Sequence, residues 1–191
     1  MTGASQPDED EADMRALQQG EAVALNRLMS RWETPLRGFL FRHTLNEQDA
    51  LDLAQETFVR IYQHRARFRT GAKFSTWMFQ IGLNLSRDLG RRTRHRAQTP
   101  VDRLPEPSSE ISPDVALAAQ ERATAVRAAI TELPDDLREA VLLSEYSGKS
   151  HGEIAEIVGA SAKAVETRLY RARAQLRKTL ANFFTERPTA R

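Results

Sequence analysis

The chain has no cysteine in its 191 residues, which excludes disulfides, thiolate metal sites and a cysteine nucleophile. No stretch approaches the roughly 18 apolar residues that a membrane-spanning helix needs. Residues 1–13 are acidic and lack the apolar core of a signal peptide. Clusters of Val, Ile and Thr are scarce, whereas Arg, Leu, Ala and Glu dominate, a helix-forming composition. His43, His64 and His95 show no ligand spacing and are expected at the surface or beside phosphates. No nucleophile–base grouping stands out either. These absences predict a soluble, cytoplasmic, all-α protein with no membrane insertion, cofactor, metal or catalytic activity of its own.

What is present is unevenly spread charge. The formal net charge is only +2, yet Asp8, Glu9, Asp10, Glu11 and Asp13 form an acidic stretch with no basic residue among them. Over residues 60–96 ten basic residues, from Arg60 to Arg96, face one acid, Asp88. A second basic run holds Lys163, Arg168, Arg171, Arg173, Arg177 and Lys178 against Glu166. Two separated basic segments suggest two polyanion contacts. Charge alone fits a pair of solvated helix faces equally well.

Apolar residues recur at helical spacing. Ala22, Leu25, Leu28, Met29, Trp32, Leu36, Phe39 and Leu40 form the first stripe, which Pro35 is expected to kink or interrupt. Asn46 is placed to cap a second helix that buries Ala50, Leu53, Ala54, Phe58 and Ile61. Phe74, Trp77, Met78, Ile81, Leu85 and Leu89 make a third stripe, expected to end near Gly90. Trp77 and Phe74 fall on that stripe, so core packing is favoured for both over base stacking. Four prolines and three serines in residues 100–113 describe an extended linker. Beyond it, Pro113 suits a first helical position, and helices are expected over 114–132, 134–146, 150–158 and 161–182. The predicted architecture is two small helical domains joined by a flexible linker. The boundaries are an acidic disordered tail at 1–14, a first module at 15–96, the linker at 97–113, a second module at 114–185 and a short tail at 186–191.

The strongest local signal spans residues 148–173. Ser150 followed by Glu153 fits a capping box, Gly159 sits where a tight turn needs positive φ, and Ser161 can cap the next helix. That helix buries Val165 and Leu169 and turns Lys163, Glu166, Thr167, Tyr170 and Arg171 outward. This is helix-turn-helix patterning, whose second helix enters the major groove. Arginine there pairs with guanine or phosphate, and Glu166 can accept from cytosine N4. An ordinary helical hairpin has the same periodicity. Asp49, Asp52 and Glu56 line one face of an earlier helix at spacings of three and four, a pattern that solubility alone also accounts for. Gly148-Lys149-Ser150 resembles the end of a phosphate-binding loop, but Leu143 stands where its glycine belongs and a helix precedes it. His151-Gly152-Glu153 has the spacing of a zinc-deaminase fragment but lacks the cysteines that such a site needs.

Leu133-Pro134, Ser147-Gly148-Lys149-Ser150, Glu153-Ile154-Ala155, Gly159, Ser161, Val165, Arg168-Leu169 and Arg171-Ala172-Arg173 resemble region four of extracytoplasmic-function sigma factors. Asp49-Ala50-Leu51-Asp52-Leu53-Ala54-Gln55-Glu56-Thr57-Phe58 is similar to the family's region two signature. Phe74-Ser75-Thr76-Trp77, Ile81, Asn84, Arg87-Asp88 and Arg91-Arg92 resemble the part of region two that opens the minus-ten element. The resemblance covers residues 22–180 and implies a promoter-reading subunit of RNA polymerase. It implies that Asp49, Asp52, Gln55 and Glu56 dock on the clamp coiled coil of the polymerase's largest subunit. Phe68, Arg69, Lys73 and Asn84 would capture unstacked bases of promoter DNA, with Arg87, Arg91 and Arg92 on phosphates. Ser161, Lys163, Glu166, Thr167, Arg168, Tyr170 and Arg171 would read the minus-thirty-five element. Glu166 departs from the basic residue of many relatives, which implies a different upstream preference. Silencing by a separate anti-sigma factor is a further implication. A helix-turn-helix regulator acting on duplex DNA without polymerase remains the alternative.

Overall fold

The computed structural model describes residues 6–94 and 113–185, and all regular structure among them is helical. The first module holds α1 (Gln6–Gln18), α2 (Val23–Thr44), α3 (Glu47–His64), a short 3-10 turn (Arg65–Arg67) and α4 (Phe74–Arg94). The second holds α5 (Pro113–Thr131), α6 (Asp135–Val141) with a π-helical turn (Leu142–Tyr146), α7 (His151–Val158) and α8 (Ala162–Thr185). The linker expected at 97–113, save Pro113, the tail at 186–191 and His95 lie outside the described residues.

Local chemistry accounts for the element ends. Asn46 is extended, and its side chain accepts from Asp49 N–H at 3.0 Å, which opens α3 as expected. Pro35 does not interrupt α2, which runs unbroken through it. Helix α4 continues past Gly90 to Arg94. The segment expected as one helix over 134–146 is instead α6 followed by the π-helical turn, closed by Lys149 N–H donating to Leu143 C=O at 3.0 Å.

The acidic stretch corrects another expectation. Residues 1–14 are expected to be disordered; residues 1–5 lie outside the described residues, but the chain is helical from Gln6 and packed from Asp10. Met14 and Leu17 are fully buried, and Asp10 and Asp13 are buried with them. Arg31 Nε bonds Asp10 at 2.9 Å, Arg27 Nε bonds Asp13 at 2.6 Å, Arg31 also pairs with Asp13, and Trp32 Nε1 donates to Asp10. Burial raises the Asp10 carboxyl above its ordinary range against the pull of Trp32 and Arg31. Two apolar anchors and a cage of α2 donors are enough to fix α1.

The two modules pack against one another. One continuous buried cluster runs from Met14 and Phe39 in the first module to Leu143, Ile154 and Leu169 in the second. Helix α4 lies along α7, and the π-helical turn meets α2. Polar groups line the same seam. Lys149 Nζ donates to Ser75 Oγ at 2.5 Å and sits over the rings of Phe79 and Trp32, with centroids at 5.2 and 5.6 Å.

Candidate nucleic-acid interface

Helices α7 and α8 form the helix-turn-helix that the sequence indicates. Ser150 Oγ accepts from Glu153 N–H, and Glu153 accepts in return from Ser150 N–H at 2.9 Å, so the capping box is complete. Burial would raise the Glu153 carboxyl, but these Ser150 bonds, with Lys73 beside it, hold it down at about 2. Gly159 closes α7 at φ 71°, in the left-handed region that a side chain would strain. Ser161 Oγ then accepts from Ala164 N–H at 3.2 Å and starts α8.

Val165, Leu169 and Ala172 are buried, which fixes the rotation of α8. The same rotation exposes Ser161, Lys163, Glu166, Thr167, Tyr170 and Arg171 on one side. Tyr170 is 71% exposed at the centre of this face. Lys163 Nζ bonds Glu166 at 2.9 Å and holds its carboxyl below the ordinary range. Arg168 does not share this face. Its Nε lies 3.3 Å from Asp136 on α6, so it braces the module rather than pointing outward.

The acidic face of α3 is as the spacing implies. Asp52 and Gln55 are exposed, while Asp49 and Glu56 are half-exposed. Gln48 bonds Asp52 at 2.9 Å, and Arg60 bonds Glu56 at 2.8 Å. Val59 and Tyr62 extend this face by a turn, 46% and 42% exposed, and were not among the expected site residues. The signal was available: both fall off the buried stripe of Ala50, Leu53, Ala54, Phe58 and Ile61.

The segment 68–92 departs most from expectation. Phe68, expected in a base-capture pocket, is buried against Trp77 and Phe74, with ring centroids 5.5 and 6.4 Å away. Arg87, expected on phosphate, donates from Nε and Nη2 to both carboxylate oxygens of Glu139 at 2.9 and 2.5 Å. Lys73 Nζ lies 3.2 Å from Glu153. Arg91 pairs with Asp88, the neighbouring acid on α4. Arg69, Asn84 and Arg92 are exposed. Phe74 is buried and Trp77 half-buried, as their place on the apolar stripe requires.

His43 is also a correction, since a surface position was expected. It is half-buried at the module seam, its side chain 9% exposed, with Nδ1 2.7 Å from Ser86 Oγ and Nε2 3.6 Å from Glu139. Burial would raise the Glu139 carboxyl, but hydrogen bonding from Arg87 and the nearness of His43 hold it at about 2. Hydrogen bonding to Glu139 raises Arg87 in turn. No cluster of acids and histidines suited to a metal occurs among the described residues, nor does any described helix have the length and apolarity to cross a membrane.

Comparison with known proteins fits this geometry. Residues 28–96 match the Sigma-70 region 2 family, and residues 123–176 match Sigma-70, region 4. The ECF RNA polymerase sigma-E factor of Haemophilus influenzae is 30% identical over 178 residues, covering 86% of this chain and 91% of that protein. The solved structure of CnrH in complex with the cytosolic domain of CnrY is similar at a TM-score of 0.71 and 28% identity, covering 92% of this chain and 99% of that one. The sigma factor RpoE from Bartonella quintana, solved in complex with the anti-sigma factor NepR, shares the fold at a TM-score of 0.68 and 23% identity, covering 85% of this chain and 98% of that one. Region 2 coincides with α2 to α4 and region 4 with the second module, in the order that the residues indicated. The chain belongs to the sigma-70 family of RNA polymerase sigma factors, in its extracytoplasmic-function branch.

Proposed function

We propose that this sigma factor is an alternative initiation factor that works by three contacts. The acidic face of α3, with Asp49, Asp52, Gln55, Glu56 and the adjoining Val59 and Tyr62, docks on the clamp coiled coil of core RNA polymerase. The outward face of α8 reads the minus-thirty-five element, and Arg171 and Lys163 supply its cations. Segment 68–92 captures unstacked bases of the minus-ten element, through Arg69, Lys73 and Asn84, with Arg87, Arg91 and Arg92 on phosphates. Arg168 supports the second contact from behind by holding α8 to α6.

The observation that carries this reading is the two-sided character of α8. One side is locked by Val165, Leu169 and Ala172, while the other leaves Lys163, Glu166, Thr167, Tyr170 and Arg171 in solvent. Such a face, on the second helix of a helix-turn-helix, has the shape and donors that a major groove accepts. The packed arrangement engages Arg87 and Lys73 internally, so promoter binding requires the modules to separate. A separate anti-sigma protein that stabilises the packed arrangement would silence the factor; the RpoE of Bartonella quintana was solved with an anti-sigma factor, and CnrH with the cytosolic domain of CnrY. The factor would act in the cytoplasm, beside the polymerase.

Transcription from a randomised promoter library with purified core enzyme tests the reading. New start sites with a shared upstream and downstream motif, present only when this chain is added, are expected. Tight, specific duplex binding by the chain alone, unaffected by core enzyme, would favour an autonomous regulator instead.

A further inference from the structure

Helix α1 reaches the loop that follows α3 and holds it from outside. Gln18 Nε2 donates to two carbonyl oxygens, those of Arg65 at 2.9 Å and Phe68 at 3.0 Å. They bracket the 3-10 turn at the loop's entry. Two helical turns earlier on α1, Glu11 Oε1 accepts from Gly71 N–H at 3.2 Å. Gly71 has φ +81°, so its amide is presented in a conformation reserved almost to glycine. Residues seven apart share a helix face, so one side of α1 grips the loop at positions 65, 68 and 71.

The loop has little structure of its own to replace these bonds. Ala72 N–H donates to Arg69 C=O at 3.1 Å, and Phe68 is buried as its hinge, while Arg69, Thr70, Gly71, Ala72 and Lys73 are exposed. Helix α1 is by contrast firmly seated, through Met14, Leu17 and the Asp10 and Asp13 pairs with α2. Rigidity therefore passes from the core of the module, through α1, to an exposed loop otherwise held by its own Ala72–Arg69 turn and the Lys73–Glu153 pair. Capturing an unstacked base is efficient only if the receiving backbone is already ordered, because ordering it on contact costs affinity.

We infer that α1 presets the loop for base capture, with Gln18 and Glu11 as its positioning residues. This rests on the proposed role of segment 68–92. Neither side chain touches DNA. Their effect is on the shape of the loop and thereby on which bases it accepts.

The test uses holoenzyme assembled with core polymerase and a randomised pool of short fluorescent single-stranded oligonucleotides. Gln18→Leu is expected to lower affinity for the selected single strands by about tenfold and to flatten base preference, the scale of two modest hydrogen bonds. Holoenzyme assembly and duplex binding through α8 should be unchanged, and hydrogen exchange at the bonded loop amides of Phe68 and Ala72 should quicken. Gln18→Arg, which restores donors, should recover part of the selectivity. Should Gln18→Leu fold poorly, Glu11→Ala, on a side chain 25% exposed, is expected to give the same loss to a lesser degree. Folded variants with unchanged single-strand affinity and base preference would overturn the positioning role. Wild-type holoenzyme without single-strand selectivity would remove the reading of segment 68–92, and this inference with it.

Discussion

Arg87 on α4 grips Glu139 on α6 with two hydrogen bonds, tying region 2 to region 4 across their seam. Glu139 is buried, while the Arg87 side chain keeps 28% exposure. The fork is therefore stronger than a surface pair but weaker than a fully enclosed one. Removing the acid leaves Arg87 facing a buried gap beside His43. Glu139→Ala should cost about 2–3 kcal/mol of module packing and enlarge the radius of gyration in solution scattering, with helix content kept. An unchanged radius in the folded variant would mean that the seam does not depend on this pair.

The recognition face makes a prediction that separates two neighbouring arginines. Arg171→Ala should weaken promoter binding by about 1–3 kcal/mol and relax preference at one base position. Arg168→Ala should instead lower the melting temperature, because its partner is Asp136 on α6. A competition series over mismatched duplexes, run beside thermal melts, distinguishes these effects. Equal losses of selectivity for both variants would argue against the assignment of Arg168 as a brace.

On α3, charge and exposed apolar surface lie side by side. Asp52→Ala and Val59→Asp should each reduce core-polymerase assembly by roughly tenfold, a typical interface truncation, with little change in stability. Both residues are exposed, so folding does not depend on them. Native gel titration against core enzyme measures the effect, and unaltered assembly by both variants would remove this face from the docking surface.

Acid should unfasten the second module and the seam together. Glu139 and Glu153 each titrate near 2 in the folded chain against an ordinary 4.5. A depressed carboxylate adds stability above its unfolded value and loses it as pH falls toward its folded one. Urea midpoints should thus hold level from neutral pH to about 5 and fall between about 4.5 and about 2. Asp10 has the opposite sign, since its raised carboxyl favours the folded state when protonated, and it offsets part of the loss. In Glu139→Gln the acid-side slope should be shallower; an identical slope would count against the seam as its source.

Signals confined to a few consecutive residues were legible in the sequence. The Asn46 cap, the Ser150–Glu153 box, the Gly159 turn and the outward face of α8 all depend on neighbours within one or two turns. What the sequence concealed was long-range. Arg87 and Glu139 are 52 residues apart, and Lys73 and Glu153 are 80 apart, so no local pattern joins them. An arginine pointing out of an isolated helix looks the same whether it meets phosphate or carboxylate. Helix α1 was missed for a related reason. Its acids read as tail-like until their partners Arg27, Arg31 and Trp32 are known, and only Met14 and Leu17 mark its buried side.

The seam also bears on how binding responds to ionic strength. Should Arg87 move to a promoter phosphate, as proposed for it, Glu139 would lose its bidentate partner and draw a cation from solution. Such a transfer is an exchange of one anion for another, with ions released at the DNA and taken up at the protein. A contact of this kind contributes less than the usual release of about 0.9 counterion per phosphate on duplex DNA. The factor would then hold its promoter more evenly across changes in cellular salt than its count of basic residues suggests.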